Sequence, residues 1–328
     1  MTIGSGIVNN LQVMKPKVLI TDYVHDILPD TLIKNGYEVH YDQSVNNDIL
    51  ETIIHLYEGV VINSKILLDK NKIDKAVRLK WVARLGSGLE IIDTGYCRKK
   101  KIKVINSPEG NCHAVAEHEI GMLLCLFNNI NKGDRDVRNF IWAREKNRGT
   151  ELRGKTLGII GLGHTGSALA EKMSSWGLNI ISYDKYRERF PKRLRLVKKV
   201  GIDELKRVAD IISFHIPLTE ETTYWLNEDF LKDCKDGVII SNTSRGKICN
   251  TYDLISALKS GKAGGACLDV FENEKSETYS DSEKFMYGEL FELENVVLSP
   301  HIAGWTKESL FLISSILLKK LNLTMNIE

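Results

Sequence analysis

The sequence lacks a strong net charge, and this absence limits the partners it could bind. Among 328 residues, 45 lysines and arginines face 43 aspartates and glutamates, giving a formal net charge of +2. No global field therefore favours a nucleic acid or a membrane surface. Basic runs do occur at residues 98–101 and 187–199. Because neither run is interleaved with enough aromatic side chains to stack on bases, we interpret both as solvated faces and predict no nucleic-acid partner.

The sequence also lacks the cysteine spacing of a metal site or a redox pair. Its six cysteines include no Cys-x-x-Cys pair and no His/Cys ligand spacing, so we predict packed, reduced thiols, no metal and a cytoplasmic protein. Residues 1–14 show no charged segment followed by an apolar one, as a signal peptide would. The apolar run at residues 310–318 is too short to span a bilayer, so no membrane partner is predicted.

Short apolar segments alternate with helical ones along most of the chain, and the length suggests two domains. In the first half the predicted strands are 18–21, 37–40, 59–62, 81–84 and 103–106, with helices near 27–35, 47–56, 69–77 and 94–100. In the second half the predicted strands are 156–160, 179–183, 211–214, 238–241, 264–267 and 296–298. Alternation of this kind predicts an α/β protein with two parallel sheets covered by helices.

Four segments outside this alternation have a different character. Residues 113–131 predict one long helix, and the polar residues 135–151, which include Trp142, predict a surface arm. Residues 272–295 are polar and are predicted to be irregular. Residues 306–321 predict a final helix, because apolar side chains recur there at helical spacing.

A glycine-rich turn follows the first strand of the second half. Gly161, Gly163 and Gly166 form a Gly-x-Gly-x-x-Gly pattern between that strand and a helix predicted over residues 164–176. Such a turn allows a pyrophosphate to approach the helix N-terminus closely. The next strand ends at Asp184, 18 residues after Gly166, a spacing that suits a carboxylate on the adenosine ribose of NAD. His164, inside the turn, is expected to be exposed beside the pyrophosphate.

Reactive side chains follow the other strands of the second half, at the sheet edge where ligands bind. They are His215, Arg245, Asp269, Glu272, Glu274 and His301. An arginine can bind a carboxylate and polarise the adjacent carbonyl, a histidine can exchange the hydroxyl proton, and a carboxylate can orient the imidazole. With a nicotinamide to carry the hydride, the set suits the reversible oxidation of a 2-hydroxy acid.

The residues alone leave alternatives open for these groups. Arg245 could pair with a surface acid, and His301 could cap the final helix. Asp269 could be a cap or turn acid. Spacing does not separate Glu272 from Glu274, since both lie in one loop. His215 could be structural or could contact a cofactor.

Eight motifs, in order between residues 17 and 314, resemble those of the D-isomer-specific 2-hydroxyacid dehydrogenase family. They are residues 84–88, 106–108, 115–118, 161–166, 215–219, 242–246, 268–274 and 299–304. The resemblance implies two Rossmann-like or flavodoxin-like parallel-sheet domains. It implies a discontinuous substrate domain, residues 1–110 and 300–328, with an NAD-binding domain, residues 111–299, inserted in it. It also implies NAD as cofactor and a homodimer as the usual assembly.

The resemblance further implies roles for individual residues. The implied catalytic set is Arg245, Glu274 and His301, which selects Glu274 over Glu272. Backbone N–H groups around Ser87 and Gly88 are implied to hold the substrate carboxylate. The implied cofactor contacts are Gly161, Gly163, His164, Thr165, Gly166, Asp184, His215, Ile216, Pro217, Thr243, Asp269 and Gly304, with Asp269 at the nicotinamide amide.

Within the family, the chain most resembles the short phosphoglycerate dehydrogenases, which lack a C-terminal regulatory domain. This implies oxidation of 3-phosphoglycerate to 3-phosphohydroxypyruvate in serine biosynthesis. Two positions depart from the resemblance: Asn63 stands where a basic residue is common, and Lys275 replaces the usual proline. Lys65 or Arg84 could compensate for Asn63. The alternatives are a glyoxylate, hydroxypyruvate or other small 2-oxo acid reductase and, in another class, a corepressor-like NAD-binding interaction protein.

Overall fold

The computed structural model describes residues 15–325 and divides them into two compact units. One unit comprises residues 15–107 together with 313–325, and the other is Pro108–Leu312. The second unit is therefore an insertion in the first. The chain passes between the two units after Ser107 and after Leu312, whereas the predicted boundaries follow residues 110 and 299. The expectation about a signal peptide concerned residues 1–14, which lie outside the described residues.

The first unit is built on a five-stranded parallel sheet in the order β2-β1-β3-β4-β5. Its strands are β1 (Lys17–Ile20), β2 (Glu38–Tyr41), β3 (Gly59–Ile62), β4 (Trp81–Arg84) and β5 (Lys103–Asn106). The central strand β3 is buried along its whole length, as an apolar strand covered on both faces should be. Each strand lies within one residue of its predicted position.

The second unit is built on a seven-stranded parallel sheet in the order β12-β11-β10-β9-β6-β7-β8. Its strands are β6 (Thr156–Ile160), β7 (Asn179–Tyr183), β8 (Lys198–Lys199), β9 (Ile211–Phe214), β10 (Val238–Asn242), β11 (Ala263–Leu268) and β12 (Val296–Leu298). The strand order reverses between β6 and β9, which pair directly. Such a reversal opens a crevice at the carboxyl ends of the strands, where an α/β sheet binds its ligand.

Helices connect most of the strands in both units. They are α1 (Ile27–Lys34), α2 (Asn47–Ile53), α3 (Lys70–Lys75), α4 (Thr94–Lys99), α5 (Cys112–Phe127), α6 (Ile130–Arg138), α7 (His164–Met173), α8 (Ile202–Val208), α9 (Glu228–Lys232), α10 (Thr251–Ser260), α11 (Asp281–Phe291) and α12 (Lys307–Lys320). The predicted pair of parallel-sheet α/β domains, one inserted in the other, is confirmed.

The long helix predicted over residues 113–131 is confirmed as far as Phe127, but its predicted end is wrong. The chain forms α5 and then α6, and Asn129 between them has a left-handed backbone with φ of 51°. Asparagine tolerates this conformation better than most residues, so the helix can break there without a glycine. The predicted arm at 135–151 begins inside α6, and beyond it Phe140 and Trp142 are 98% and 78% exposed.

The prediction that residues 272–295 are irregular is wrong over Asp281–Phe291, which form α11. Ser280 and Glu283 form a capping box at the N-terminus of α11, in which each side chain bonds the other residue's backbone N–H. Tyr287, on the buried side of α11, stacks on Tyr279 with ring centroids 4.8 Å apart. The Ser-x-x-Glu signal of the capping box was present in the sequence.

The cysteines are unpaired, and five of the six are buried. Burial raises the pKa of the Cys97 and Cys234 thiols to about 11, so these thiols are poor nucleophiles at neutral pH. Within residues 15–325, we find no cluster of three metal-binding side chains. Over the same residues, every helix is too short or too polar to cross a bilayer.

Candidate active site

The glycine turn lies at the reversal point of the second sheet, between β6 and α7. Gly161 has a φ of +90°, and a Cβ there would lie 2.5 Å from the carbonyl oxygen of His215. A Cβ on Gly166 would overlap the carbonyl group of Gly161. Both positions therefore require glycine, and the β6 and β9 ends pack directly on each other.

The same turn leaves room for an anion. A Cβ on Gly163 would meet nothing within 4 Å, and no side chain caps the N-terminus of α7. The uncapped N–H groups and the helix dipole favour a phosphate at this point. His164 is exposed, as predicted, and Thr165 is partly exposed beside it. The turn thus has the open cradle that a dinucleotide pyrophosphate needs.

Asp184 follows β7 and holds the backbone around the turn. Its Oδ2 accepts a hydrogen bond from the Leu162 N–H at 2.8 Å, and its Oδ1 accepts from Tyr186 and Arg187 N–H groups at 2.9 Å. Burial alone would raise the pKa of the Asp184 carboxyl, but these three donors lower it below its ordinary value. Asp184 is therefore ionised at neutral pH, and of the about four lone-pair sites of its carboxylate one is left to accept from a ribose hydroxyl.

Glu274 and His301 come together at the carboxyl end of the second sheet. His301 Nδ1 lies 2.7 Å from Glu274 Oε2, and both side chains are partly exposed, at 45% and 38%. Burial opposes ionisation of Glu274, but its bond to His301 and the charges of His301 and Arg245 hold the pKa of this carboxyl below its ordinary value. Because a carboxylate only accepts hydrogen bonds, Nδ1 carries a proton and Nε2 is the atom that can exchange one with a ligand.

Arg245 lies close enough to this pair for its charge to lower the pKa of Glu274, and its loop packs closely on the Glu274 loop. A Cβ on Gly246 would overlap the backbone of Phe271, and the Phe271 N–H donates to Glu274 Oε1 at 3.3 Å. The Arg245 carbonyl oxygen accepts from Asn242 Nδ2 at 2.9 Å, which fixes the turn after β10. The structure therefore brings together the three groups that the sequence marked at separate strand ends.

Glu272, the alternative to Glu274, has other partners. One oxygen accepts from the Thr251 N–H at 2.8 Å, at the start of α10, and the other accepts from the Tyr224 hydroxyl at 2.8 Å. These bonds join the start of α10 to the segment that contains Tyr224, and they do not involve His301. The geometry thus distinguishes two acids that spacing alone left equivalent.

Asp269, predicted at the nicotinamide amide, is fully buried and holds the loop that carries His301. Its Oδ1 accepts from the Ser299 hydroxyl at 2.6 Å and from the Ile302 N–H at 2.9 Å. Its Oδ2 accepts from the Ala303 N–H at 2.9 Å. His118, which sequence reasoning missed, extends this cluster, with Nε2 2.8 Å from the Ser299 hydroxyl. A nicotinamide contact for Asp269 stays a prediction.

The remaining predicted cofactor residues lie at the ends of neighbouring strands. His215 follows β9 with its side chain only 2% exposed, and Ile216 and Pro217 come directly after it. Thr243 follows β10, and its hydroxyl donates to Glu119 at 3.3 Å. Gly304 packs against the amide of Asn111. Glu119 was not predicted, although a charged residue on the apolar stripe of α5 was a visible signal.

The predicted substrate residues lie at the strand ends of the first unit. Arg84 Nη1 donates to the Leu85 carbonyl at 2.8 Å, and Gly86, with φ of +122°, has no room for a Cβ beside that guanidinium. The Ser87 carbonyl accepts from Asn106 Nδ2 at 2.6 Å, which ties the loop containing Gly88 to the end of β5. These bonds fix the backbone of the loop, and a contact of Ser87 and Gly88 with a substrate carboxylate stays a prediction.

Comparison with known proteins identifies the family of this chain. The family model for the D-isomer specific 2-hydroxyacid dehydrogenase NAD binding domain matches residues 120–303, more than half of the chain. The chain belongs to this family. The matched range lies inside Pro108–Leu312, so the second unit is the NAD-binding domain.

Curated relatives and solved structures agree with this family. D-3-phosphoglycerate dehydrogenase of Archaeoglobus fulgidus is 35% identical over 89% of the chain but is matched over 54% of its own length. The chain therefore spans about half the length of the curated relatives it matches, and the likeness to short forms stays a prediction. D-Lactate dehydrogenase from Aquifex aeolicus, complexed with NAD and lactic acid, is 28% identical with a TM-score of 0.80, covering 93% and 94% of the two chains.

A third similar protein binds the phosphorylated dinucleotide. An acyclic imino acid reductase in complex with NADPH and D-Arg is 27% identical, with a TM-score of 0.82, and the match covers 93% of this chain and 96% of that one. The choice between NAD and NADP that the sequence assigns to Asp184 stays a prediction.

Proposed function

We propose that this protein is an NAD-dependent oxidoreductase that interconverts a D-2-hydroxy acid and a 2-oxo acid, with 3-phosphoglycerate and 3-phosphohydroxypyruvate as its pair. The observation that carries the proposal is the 2.7 Å contact between His301 and Glu274 beside Arg245, in the NAD-binding domain. The likeness to the phosphoglycerate dehydrogenase of Archaeoglobus fulgidus supports the choice of substrate.

In this proposal each member of the set has one task. The Arg245 guanidinium binds the substrate carboxylate and polarises the carbonyl next to it. His301 Nε2 gives its proton to the forming hydroxyl during reduction and takes it back during oxidation. Glu274 keeps the imidazole oriented and stabilises its charged form. Bound NAD supplies hydride transfer, which no side chain can perform.

The other predicted residues bind the two ligands. Gly161, Gly163, His164, Thr165 and Gly166 would hold the pyrophosphate, and Asp184 the adenosine ribose. We assign the nicotinamide end to His215, Ile216, Pro217, Thr243, Asp269 and Gly304. Ser87 and Gly88 would bind the substrate carboxylate, with Arg84 and Lys65 as the cations for a phosphate.

One observation favours a second substrate class, a small 2-oxo acid without a phosphate, such as glyoxylate or hydroxypyruvate. Asn63 stands where a basic residue would serve a phosphate, and its backbone N–H donates to an acid, Asp22, at 3.0 Å. Lys65 Nζ is also engaged, donating to the Gln43 carbonyl at 2.6 Å and lying 3.9 Å from Asp22. The lactic acid bound by the Aquifex aeolicus relative is of this unphosphorylated class.

We also propose a homodimer, a cytoplasmic location and a place in serine biosynthesis. The exposed Phe140 and Trp142 after α6 support the dimer, because a water-exposed aromatic pair on an arm favours a contact with a second copy. Light scattering should give twice the 37.1 kDa chain mass, and Trp142→Glu should lower it toward a monomer. A monomeric wild type would contradict the proposed dimer.

Substrate choice is tested by NADH oxidation with 3-phosphohydroxypyruvate, hydroxypyruvate, glyoxylate and pyruvate in parallel. We expect kcat/KM to be at least about tenfold higher for the phosphorylated acid, which corresponds to about 1.4 kcal/mol. Lys65→Met should then remove much of that preference, whereas the control Lys75→Met, which breaks a surface pair with Glu51, should not. Equal rates with and without the phosphate would support the second substrate class. No turnover despite NADH binding would contradict the enzymatic proposal.

A further inference from the structure

The centre of α5 carries a buried acid that the proposed chemistry does not use. Glu119 is fully buried, and the neighbours one helical turn away on the same face, Val115, Ala116, Met122 and Leu123, are buried and apolar. A carboxylate in such a place is unfavourable unless its lone pairs are satisfied. Glu119 therefore needs hydrogen-bond partners in a definite geometry.

Those partners come from the ends of two adjacent strands. The Ser213 hydroxyl, on β9, donates to Glu119 Oε1, and the Thr243 hydroxyl, after β10, donates to Oε2 at 3.3 Å. His215 Nε2 lies 2.8 Å from the Ser213 hydroxyl oxygen and 3.4 Å from Glu119 Oε2. Glu119 is thus the shared acceptor of a buried network that includes His215 and Thr243, two of the predicted cofactor residues.

The hydrogen-bond donors of the network determine which ring nitrogen of His215 carries a proton. The Ser213 hydroxyl gives its one proton to Glu119, so its oxygen can only accept from His215. Nε2 of His215 must then carry a proton. Burial lowers the pKa of His215, although the Glu119 carboxylate acts in the opposite direction, so the ring is neutral and Nδ1 is unprotonated.

The network also lies next to the glycine turn between β6 and α7. The carbonyl oxygen of His215 is the atom against which Gly161 packs, at the strand reversal between β6 and β9. We infer that Glu119 is a positioning residue for the dinucleotide site. Its carboxylate holds the ends of β9 and β10 in register next to Gly161, and it selects the Nε2–H tautomer of His215. This inference rests on the NAD binding in the proposed function but not on the identity of the substrate.

Glu119→Gln tests the inference because it keeps the shape and removes the charge. An amide has one acceptor oxygen and adds two N–H donors, so Ser213 or Thr243 loses its acceptor. We expect NADH binding, followed by its fluorescence, to weaken about tenfold, equivalent to about 1.4 kcal/mol. We expect kcat at saturating NADH to change less than about twofold. The control Glu117→Gln, on the exposed side of α5 with Lys172 as partner, should leave NADH affinity unchanged.

Nitrogen-15 spectra of the histidine rings provide a readout that does not depend on activity. The His215 signal, assigned by its loss in His215→Gln, should report Nε2–H in the wild type and a shift toward Nδ1–H or mixed tautomers in Glu119→Gln. A folded Glu119→Gln protein that binds NADH like the wild type would overturn the inference. So would a wild-type His215 that is charged or protonated at Nδ1.

A second variant covers the case in which Glu119→Gln does not fold. Ser213→Ala removes the hydroxyl between Glu119 and His215 and should weaken NADH binding by a similar factor, while unchanged affinity would again overturn the inference. Turnover of the wild type is measured separately. A wild type that binds NADH but reduces no 2-oxo acid contradicts only the proposed function, and normal NADH binding by these variants contradicts only the role of Glu119.

Discussion

Nδ1 of His301 lies 2.7 Å from Oε2 of Glu274, although His301 has a left-handed backbone with φ of 57°. A non-glycine residue in this conformation costs about 1–2 kcal/mol. The neighbouring N–H groups of Ile302 and Ala303 both donate to buried Asp269, which holds the strained turn in place. The His301–Glu274 pair is therefore positioned by the bonds of its loop to Asp269 as well as by its own hydrogen bond.

Replacing Glu274 by Gln should impair catalysis more than the same change at Glu272. The neutral amide of Glu274→Gln no longer stabilises the charged imidazole, so we expect kcat to fall by about tenfold or more. Glu272→Gln is the matched control, because Glu272 bonds the Thr251 N–H and the Tyr224 hydroxyl. Steady-state kinetics at saturating NADH compare the two variants, and equal losses would exclude the special role of Glu274.

The His301–Glu274 pair should also make stability depend on pH in a definite direction. The pKa of Glu274 is lowered in the folded protein, so the pair stabilises the fold above the ordinary carboxyl pKa of 4.5 and this stabilisation is lost as pH falls through the lowered value. The effect is modest because the carboxyl is 38% exposed. Urea unfolding of wild type and Glu274→Gln should show a stability difference at pH 6 that shrinks below pH 4.5. A constant difference would contradict the assigned pKa direction.

Asp184 should discriminate NADH from NADPH. Its carboxylate is ionised, and a negative charge at the adenosine ribose repels a 2′-phosphate. Asp184→Ser keeps an acceptor but removes the charge, so the NADPH to NADH ratio of kcat/KM should rise about tenfold or more. Asp203→Ser, on the exposed face of α8, serves as control. Wild-type rates that are equal with the two cofactors would refute the role given to Asp184.

Asp269→Asn should loosen the loop of His301. An amide has one acceptor oxygen, so either the Ile302 or the Ala303 N–H loses its partner in a buried site. An unsatisfied buried N–H costs about 1–3 kcal/mol, and we expect a loss of stability in this range together with a lower kcat. Thermal unfolding and kinetics measure the two effects, and a variant with wild-type values of both would show that the bonds to Asp269 do not position His301.

Much of this arrangement could be predicted from the sequence, since the strands are short apolar segments between polar turns. Parallel strands bring their carboxyl ends to one edge, so Arg245, Glu274 and His301 could be placed together although they are far apart in the chain. The glycine pattern indicated where the strand order of the seven-stranded sheet reverses. Both inferences use only local pattern and the rules of parallel sheets.

Other features depend on contacts that the sequence does not display. Glu272 and Glu274 differ in partners rather than spacing, so the residue pattern alone did not separate them; the family resemblance selected Glu274, and the contact with His301 distinguishes it in the structure. The break at Asn129 depends on one backbone angle in an otherwise helical pattern. Glu119 interrupts the apolar stripe of α5, but its partners Ser213 and Thr243 lie at the ends of distant strands and could not be identified without the fold. The α11 helix, by contrast, had a capping signal that outweighed its polar composition.

The most direct test of the central claim compares wild type with His301→Ala in two measurements on the same preparations. NADH oxidation by a 2-oxo acid should fall by about 10²–10⁴-fold in the variant, because the group that exchanges the hydroxyl proton is gone. NADH binding should stay within about twofold of the wild type, since His301 is assigned to the proton transfer and not to the cofactor. Unchanged turnover in His301→Ala would contradict the account.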